Sequence, residues 1–264
     1  MTTNVYTQES IIEKLNELRE SGWIESCRNG NCGGIGNTLE EFLGIKENNL
    51  RLPDAAEWEL KTQRLNTKSP VTLFHVEPSP TTVKFIPCVL LPKYGWPHKK
   101  AGMKYPSNEV SFRQTISTSR RSDRGFKVVV DRQAEKILIS FDPNSVASRH
   151  KDWIESVEKR VGLGELDPQP YWNFQDLYYK TREKLNNCFF VIANAKLIEG
   201  KEFFKYEKIY KLSHFSFEKF IDTIEQGEIL VDFDARTGHN HGTKFRYKYR
   251  NSKIISLYEN IEEI

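Results

Sequence analysis

The sequence lacks a long apolar run, a lopsided charge and a patterned set of cysteines, and each absence removes a class of protein. No stretch of the 264 residues approaches the ~20 apolar residues that a membrane-crossing helix needs. Met1 to Glu9 is polar, without the apolar segment of a secretory leader, so a soluble cytoplasmic protein with no membrane partner is expected. Cys27 and Cys32 have four residues between them, but neither a second pair nor a histidine stands at zinc-ligand spacing. With Cys88 and Cys188 they are expected to be reduced thiols. The 39 Lys and Arg nearly balance 36 Asp and Glu, for a net charge of +3. Such a balance does not announce a polyanionic partner; it permits one where basic residues share a face. Repeats and low-complexity tracts are also missing.

What is present is an ordinary globular composition, 38% apolar with sixteen Phe, eleven Tyr and five Trp, enough to bury a real core. Ile11, Ile12, Leu15 and Leu18 mark an amphipathic helix over Ser10–Glu20, ended by Gly22. Asn29 to Asn37 is Gly/Asn-rich and reads as a loop, and Thr38 with Glu41 reads as the capping box of a short helix stopped by Gly44. On that helix Leu39, Phe42 and Leu43 share an arc, Glu40 lies at its border and Glu41 faces away. A polar turn at Lys46 to Asn49 follows, then a strand from Trp58 to Thr62. Further strands are expected at Val71–Val76, Thr82–Leu91, Gly125–Asp131, Glu135–Asp142, Cys188–Ala193, Phe203–Leu212, Glu228–Asp232 and Lys244–Tyr249. Helices are expected at Ser148–Arg160, Gln175–Asn186 and Ser216–Gln226, and a loop over Asp234–Gly242. Nothing marks a linker between independent domains. The fold class expected is α/β, a mixed sheet flanked by helices, as one bilobed domain over residues 1–264 with the lobes forming a cleft.

Two stretches carry chemistry. In Pro53-Asp54 followed by Glu59-Leu60-Lys61, strand alternation puts Glu59 and Lys61 on the face opposite Trp58 and Leu60. Asp54 and Glu59 can converge on one hard cation such as Mg²⁺, with the Leu60 carbonyl as a further ligand and Lys61 placed to orient water or stabilise developing charge. Glu40 could add an outer carboxylate. The competing reading is an exposed Glu–Lys pair on a solvated strand. The second stretch runs from Asp234 to Arg246. Gly238 and Gly242 let the backbone turn and approach a partner, and Arg236, His239, Asn240, His241, Lys244 and Arg246 carry donors for base edges and phosphates. A metal pair at His239 and His241, or a solvated loop, are the alternatives. Lys93–Lys104 interleaves aromatic with cationic residues, and Arg113 with Arg120, Arg121 and Arg124 adds guanidinium groups suited to phosphates, unless these are simply solvated loops.

Pro53-Asp54 with Glu59-x-Lys61 has the layout of a PD-(D/E)xK nuclease site. With Gly36-Asn37-Thr38-Leu39-Glu40-Glu41-Phe42-Leu43-Gly44 ahead of it, the block resembles the MutH-like nucleases, which include the MvaI/BcnI restriction endonucleases. The gap of four residues between Asp54 and Glu59 looks more like the restriction branch. Thr237-Gly238-His239-Asn240-His241-Gly242-Thr243-Lys244-Phe245-Arg246 is similar to that branch's T-G-x-N-H-G-T-x-F-R segment, which enters the DNA groove. The resemblance implies a Mg²⁺-dependent type II enzyme of a prokaryotic cell, a monomer that cuts double-stranded DNA by nicking one strand and then the other. It also implies a companion DNA methyltransferase. By the same resemblance Glu40, Asp54, Glu59 and Lys61 form the cutting centre, and His239 helps read the middle of a CC-N-GG-like site, favouring a C or G centre. His75, Arg121 and Arg124 are candidates for a further catalytic group. A nicking enzyme of mismatch repair, a DNA-binding module without catalysis and a phosphodiesterase of other substrates stay open.

Overall fold

The computed structural model describes residues 6–28, 33–45, 57–65, 67–248 and 253–264. In chain order the first elements are helix α1 (Gln8–Glu20), strand β1 (Trp23–Glu25), helix α2 (Gly34–Phe42) and strands β2 (Glu59–Arg64) and β3 (Val71–His75). Helix α3 (Leu91–Tyr94) leads to strands β4 (Trp96–Pro97), β5 (Val110–Ile116), β6 (Arg124–Asp131) and β7 (Lys136–Val146). Helix α4 (Lys151–Val161), strand β8 (Tyr171–Asn173) and helix α5 (Phe174–Leu185) precede the long strands β9 (Asn187–Ile198) and β10 (Lys201–Phe215). Helix α6 (Phe217–Glu225) and strands β11 (Ile229–Arg236), β12 (His239–Tyr247) and β13 (Tyr258–Glu263) complete the chain. The α/β class expected from the sequence is what is found. Among the described residues no helix is long and apolar enough to cross a membrane.

The chain divides into two compact units. The first takes residues 1–71, 179–217 and 249–264. Its sheet has the order β1-β10-β9-β2, with β13 also on β10; β2 runs parallel to β9, and the other pairs are antiparallel. Helix α1 starts where Thr7 and Ser10 exchange capping hydrogen bonds. It buries Ile11, Leu15 and Leu18 in a core that includes Leu39, Trp58, Phe189 and Phe204.

Helix α2 departs from its expected start. It begins at Gly34, inside the segment read as a loop, and Thr38 is no cap. The Thr38 hydroxyl donates back to the Gly34 carbonyl at 2.8 Å and accepts the Cys27 N–H at 3.2 Å. Close approach explains the glycines better than a loop does. A Cβ on Gly34 would come within 3.0 Å of the Arg28 carbonyl and the Ser26 hydroxyl, and one on Gly36 within 3.4 Å of the Thr62 hydroxyl on β2.

The second unit takes residues 72–178 and 218–248. It holds one sheet of order β3-β12-β11-β5-β4 and a smaller one of order β6-β7-β8. Phe112, Phe126, Phe141 and Trp153 form a chain of ring contacts with centroids 4.9–6.4 Å apart. Each such Phe contributes about 1.5–3 kcal/mol over an exposed one. The strand expected over Thr82–Leu91 is absent: the segment forms a 3₁₀ turn, a π-helical turn and the start of α3. Pro87 and Pro92 decide this, because proline cannot donate to a ladder but is tolerated in a helical first turn. Strand β5 was not expected, although Val110, Phe112 and Ile116 fall on one side of its alternation.

Gly125 sits in the β6–β7 bulge at φ +78°, where a Cβ would lie 2.3 Å from the Asp142 carbonyl oxygen. Gly125→Ala is therefore expected to destabilise the protein by about 2–4 kcal/mol, from backbone strain and overpacking together. Urea titration of the two proteins measures it, and a difference under ~0.5 kcal/mol would contradict the reading.

Candidate active site and reading hairpin

In the first unit, strand β2 presents Glu59 with Cα register on Cys188 of β9. Trp58 and Leu60 are buried as alternation requires, and Trp58 packs on Phe189 at 4.6 Å between centroids. Glu59, however, is not on a solvated face. It is 2% exposed, with one carboxylate oxygen paired to Lys61 and the other 2.8 Å from the Lys184 ammonium. Both lysines are themselves mostly covered, at 14% and 16% side-chain exposure. Burying a carboxylate this deeply is costly unless cations lie against it, and two ammonium groups do so here. Tyr258, fully buried, lies by Cys188 and Glu59; burial first, then both neighbours, push its phenol far above its ordinary range, so it is neutral near pH 7.

Lys184 was not expected from the sequence. It lies in the last turn of α5, in a run of charges (Arg182-Glu183-Lys184) that looks like any solvated helix terminus. Only the parallel pairing of β2 with β9, three residues beyond that end, brings it to Glu59. His75, Arg121 and Arg124, the candidates for a further group, belong to the second unit. Arg121 is spent on its own neighbourhood: it donates to the Gly125 carbonyl at 2.8 Å and the Ser140 hydroxyl at 3.1 Å. Glu40 is half-buried on α2 beside β2, and Glu41 is exposed. Asp54 lies outside the described residues, as does the turn expected at Lys46–Asn49.

A divalent cation can be tested against these donors. Among the described residues, no three His, Cys, Asp or Glu side chains are close enough to form a protein cage for a metal. A magnesium ion does not require one, since it keeps several waters and commonly takes one or two carboxylates plus substrate phosphate. Glu59 offers a hard oxygen donor already held in a cation-binding role by two lysines. One such carboxylate is compatible with a Mg²⁺ ion that takes its remaining ligands from water and phosphate.

The second unit carries the Asp234–Arg246 segment, and most of it is not a loop. Strand β11 runs through Arg236, β12 begins at His239, and Thr237-Gly238 forms a two-residue hairpin turn with Gly238 at φ +67°. Several of these side chains already have partners. The Asn240 side-chain Oδ1 accepts the Gly242 N–H at 2.9 Å, and His239 and His241 share a 2.8 Å contact between their Nε2 atoms on the exposed rim. Each basic residue has an acid on or just beside the same sheet: Arg236 to Glu109 at 2.9 Å, Lys244 to Asp234 at 3.8 Å, Arg246 to Asp232 at 3.2 Å. His75 and Glu77 lie near Gly242: a Cβ there would be 3.1 Å from a Glu77 carboxylate oxygen and 3.6 Å from His75 Nδ1. Arg120 is exposed, beside a cavity of about 190 Å³ that Arg121 also lines.

Comparison with known proteins bears on both stretches. No curated protein sequence matches the chain. Two solved structures are similar: restriction endonuclease MvaI in complex with cognate DNA, at a TM-score of 0.76 and 23% identity over 98% of this chain and 99% of that one; and MvaI in the absence of DNA, at 0.52 and 23% over the whole of both. At that identity the likeness is one of fold. The description "MvaI/BcnI restriction endonuclease family" matches residues 12–258, a span that includes Glu40, Glu59, Lys61, Lys184 and the hairpin. The chain therefore belongs to the MvaI/BcnI restriction endonuclease family.

Proposed function

We propose that the chain is a Mg²⁺-dependent type II restriction endonuclease that hydrolyses phosphodiester bonds of double-stranded DNA. The observation that carries the reading is the Glu59 carboxylate, buried on a strand and gripped by Lys61 and Lys184, in a chain of this family. Glu59 and Asp54 would hold the metal, with the Leu60 carbonyl as a further ligand and Glu40 as an outer carboxylate. When bound, Mg²⁺ neutralises phosphate charge and lowers the pKa of a water. Lys61 orients the attacking water, and Lys184 adds positive charge where negative charge grows on the phosphate. Water attack in line with the leaving 3′ oxygen leaves a 5′-phosphate.

The hairpin of β11 and β12 is the reading element in this proposal. His239, Asn240 and His241 occupy its rim, while Arg236, Lys244 and Arg246 reach DNA by exchanging acid partners for phosphates or base edges. The site is CC-N-GG-like with a C or G centre, cut by a monomer in two successive nicks. A companion methyltransferase protects the host, and the enzyme acts in the cytoplasm. Digestion of a mixed-sequence plasmid with Mg²⁺ tests the reading. Wild type is expected to give discrete linear fragments, and Lys61→Ala at least about 10³ times less product. Nicked circles alone would favour a mismatch-repair type of nicking enzyme, and unchanged cutting by the variant would remove Lys61 from the mechanism.

A further inference from the structure

The second unit holds a cavity of about 800 Å³ between β4, β5, β6 and β11–β12. Its lining includes Lys99, Arg113, Arg124 and Arg246, four cations against the single acid Asp232. That acid is already engaged, by the Thr115 hydroxyl at 2.5 Å and Arg246 at 3.2 Å. Arg113 leans on Asp234 at 3.2 Å.

Arg124 is different. Its guanidinium lies 4.0 Å from the Trp96 ring centroid and 5.4 Å from that of Trp153, yet within the described residues it makes no hydrogen bond and no ion pair. Its Nε is out of reach of water and unsatisfied. So is the Nε2 of Gln114 in the same lining, whose other amide atom is pinned by the Ser122 hydroxyl at 3.1 Å. Burial, then repulsion from Arg149, lowers the Arg124 pKa below its ordinary value. A guanidinium fork with no acid on it, in a cavity lined by four cations, suits an oxyanion at its terminal N–H groups.

We propose that Arg124 seats a backbone phosphate of duplex DNA in this cavity, a contact that adds affinity but reads no sequence. The inference rests on the nuclease reading, and the test separates their failures. Labelled duplexes, with and without a CC-N-GG site, are bound by anisotropy in Ca²⁺ over a range of KCl. Loss of one phosphate contact lowers the slope of log K against log salt by about 0.9. Arg124→Met is expected to show that decrease and to weaken both duplexes equally. Arg124→Lys is expected to retain the slope. A brace on Trp96 would move the unfolding midpoint of Arg124→Met without moving its salt slope, and that result overturns the proposal. So does a loss confined to one duplex, which would mean base reading. Inorganic phosphate that protects wild type but not Arg124→Met from unfolding, with the duplex slope unchanged, would reassign the cavity to a free anion. If wild type binds no duplex at all, the nuclease reading falls first.

Discussion

Glu59→Gln is expected to lower plasmid cleavage at least about 10³-fold, because it removes the formal negative charge that Lys61 and Lys184 flank and that the proposed metal site needs. The substitution is nearly isosteric, so packing around β2 changes little. What changes is that the Lys61 and Lys184 ammonium groups, at 14% and 16% exposure, lose the carboxylate that bridges them. Breaking a buried pair by deleting one partner costs up to ~5 kcal/mol, and partial access to water reduces that here to about 2–3 kcal/mol. Stability and activity should therefore fall together. Rates measured per folded molecule at saturating DNA, with the unfolding midpoint recorded beside them, separate the two effects. Lys184→Met distinguishes the roles of the lysines. It keeps Lys61 and the carboxylate proposed to hold the metal, so a loss of about 10²-fold is expected if the second ammonium stabilises growing phosphate charge. A Lys184→Met protein that cuts at the wild-type rate would reduce Lys184 to a counter-ion of the fold, and a Glu59→Gln protein within tenfold of wild type would remove Glu59 from the metal.

The parts of this site that could be seen in the sequence are those with a local signature. Glu59 and Lys61 share a face because strand side chains alternate, and Glu40 lands at the edge of the buried arc because helices repeat every 3.6 residues. Lys184 has no local signature, since its importance comes from a parallel strand pair whose members are more than a hundred residues apart. Arg236, Lys244 and Arg246 were visible as cations, but not their pairing with acids on or beside neighbouring strands. Two misreadings had their signal in plain view. Thr-Gly between alternating stretches is a two-residue hairpin turn, and prolines at 87 and 92 argue against a strand. The early start of α2 was hidden for a different reason: Gly34 and Gly36 permit close packing rather than chain freedom, and composition cannot tell those uses apart.

Arg236→Met is expected to damage the fold and the selectivity of the enzyme separately. Glu109 is 4% exposed, and within the described residues the only cation or donor on its carboxylate is Arg236 Nη1, at 2.9 Å. Arg236 is one-third exposed, with its guanidinium 4.5 Å from the centre of the Tyr105 ring. Removing the cation strands a buried carboxylate; after allowance for screening by water, about 2–3 kcal/mol of stability should go, or roughly 5–10 °C in unfolding midpoint. Pairing it with Glu109→Gln makes the stranded group neutral, and the double variant should recover most of that loss, a coupling that a double-mutant cycle measures directly. Selectivity should not recover with it. A guanidinium that leaves Glu109 for a guanine edge contributes about 1–3 kcal/mol of discrimination against the wrong base, and neither methionine nor glutamine replaces it. The readout is the ratio of cleavage at the preferred site to cleavage at single-base mismatches. That ratio should drop by at least tenfold in Arg236→Met and stay low in the double variant; if it returned along with the midpoint, Arg236 would be a brace for the hairpin rather than one of its reading groups.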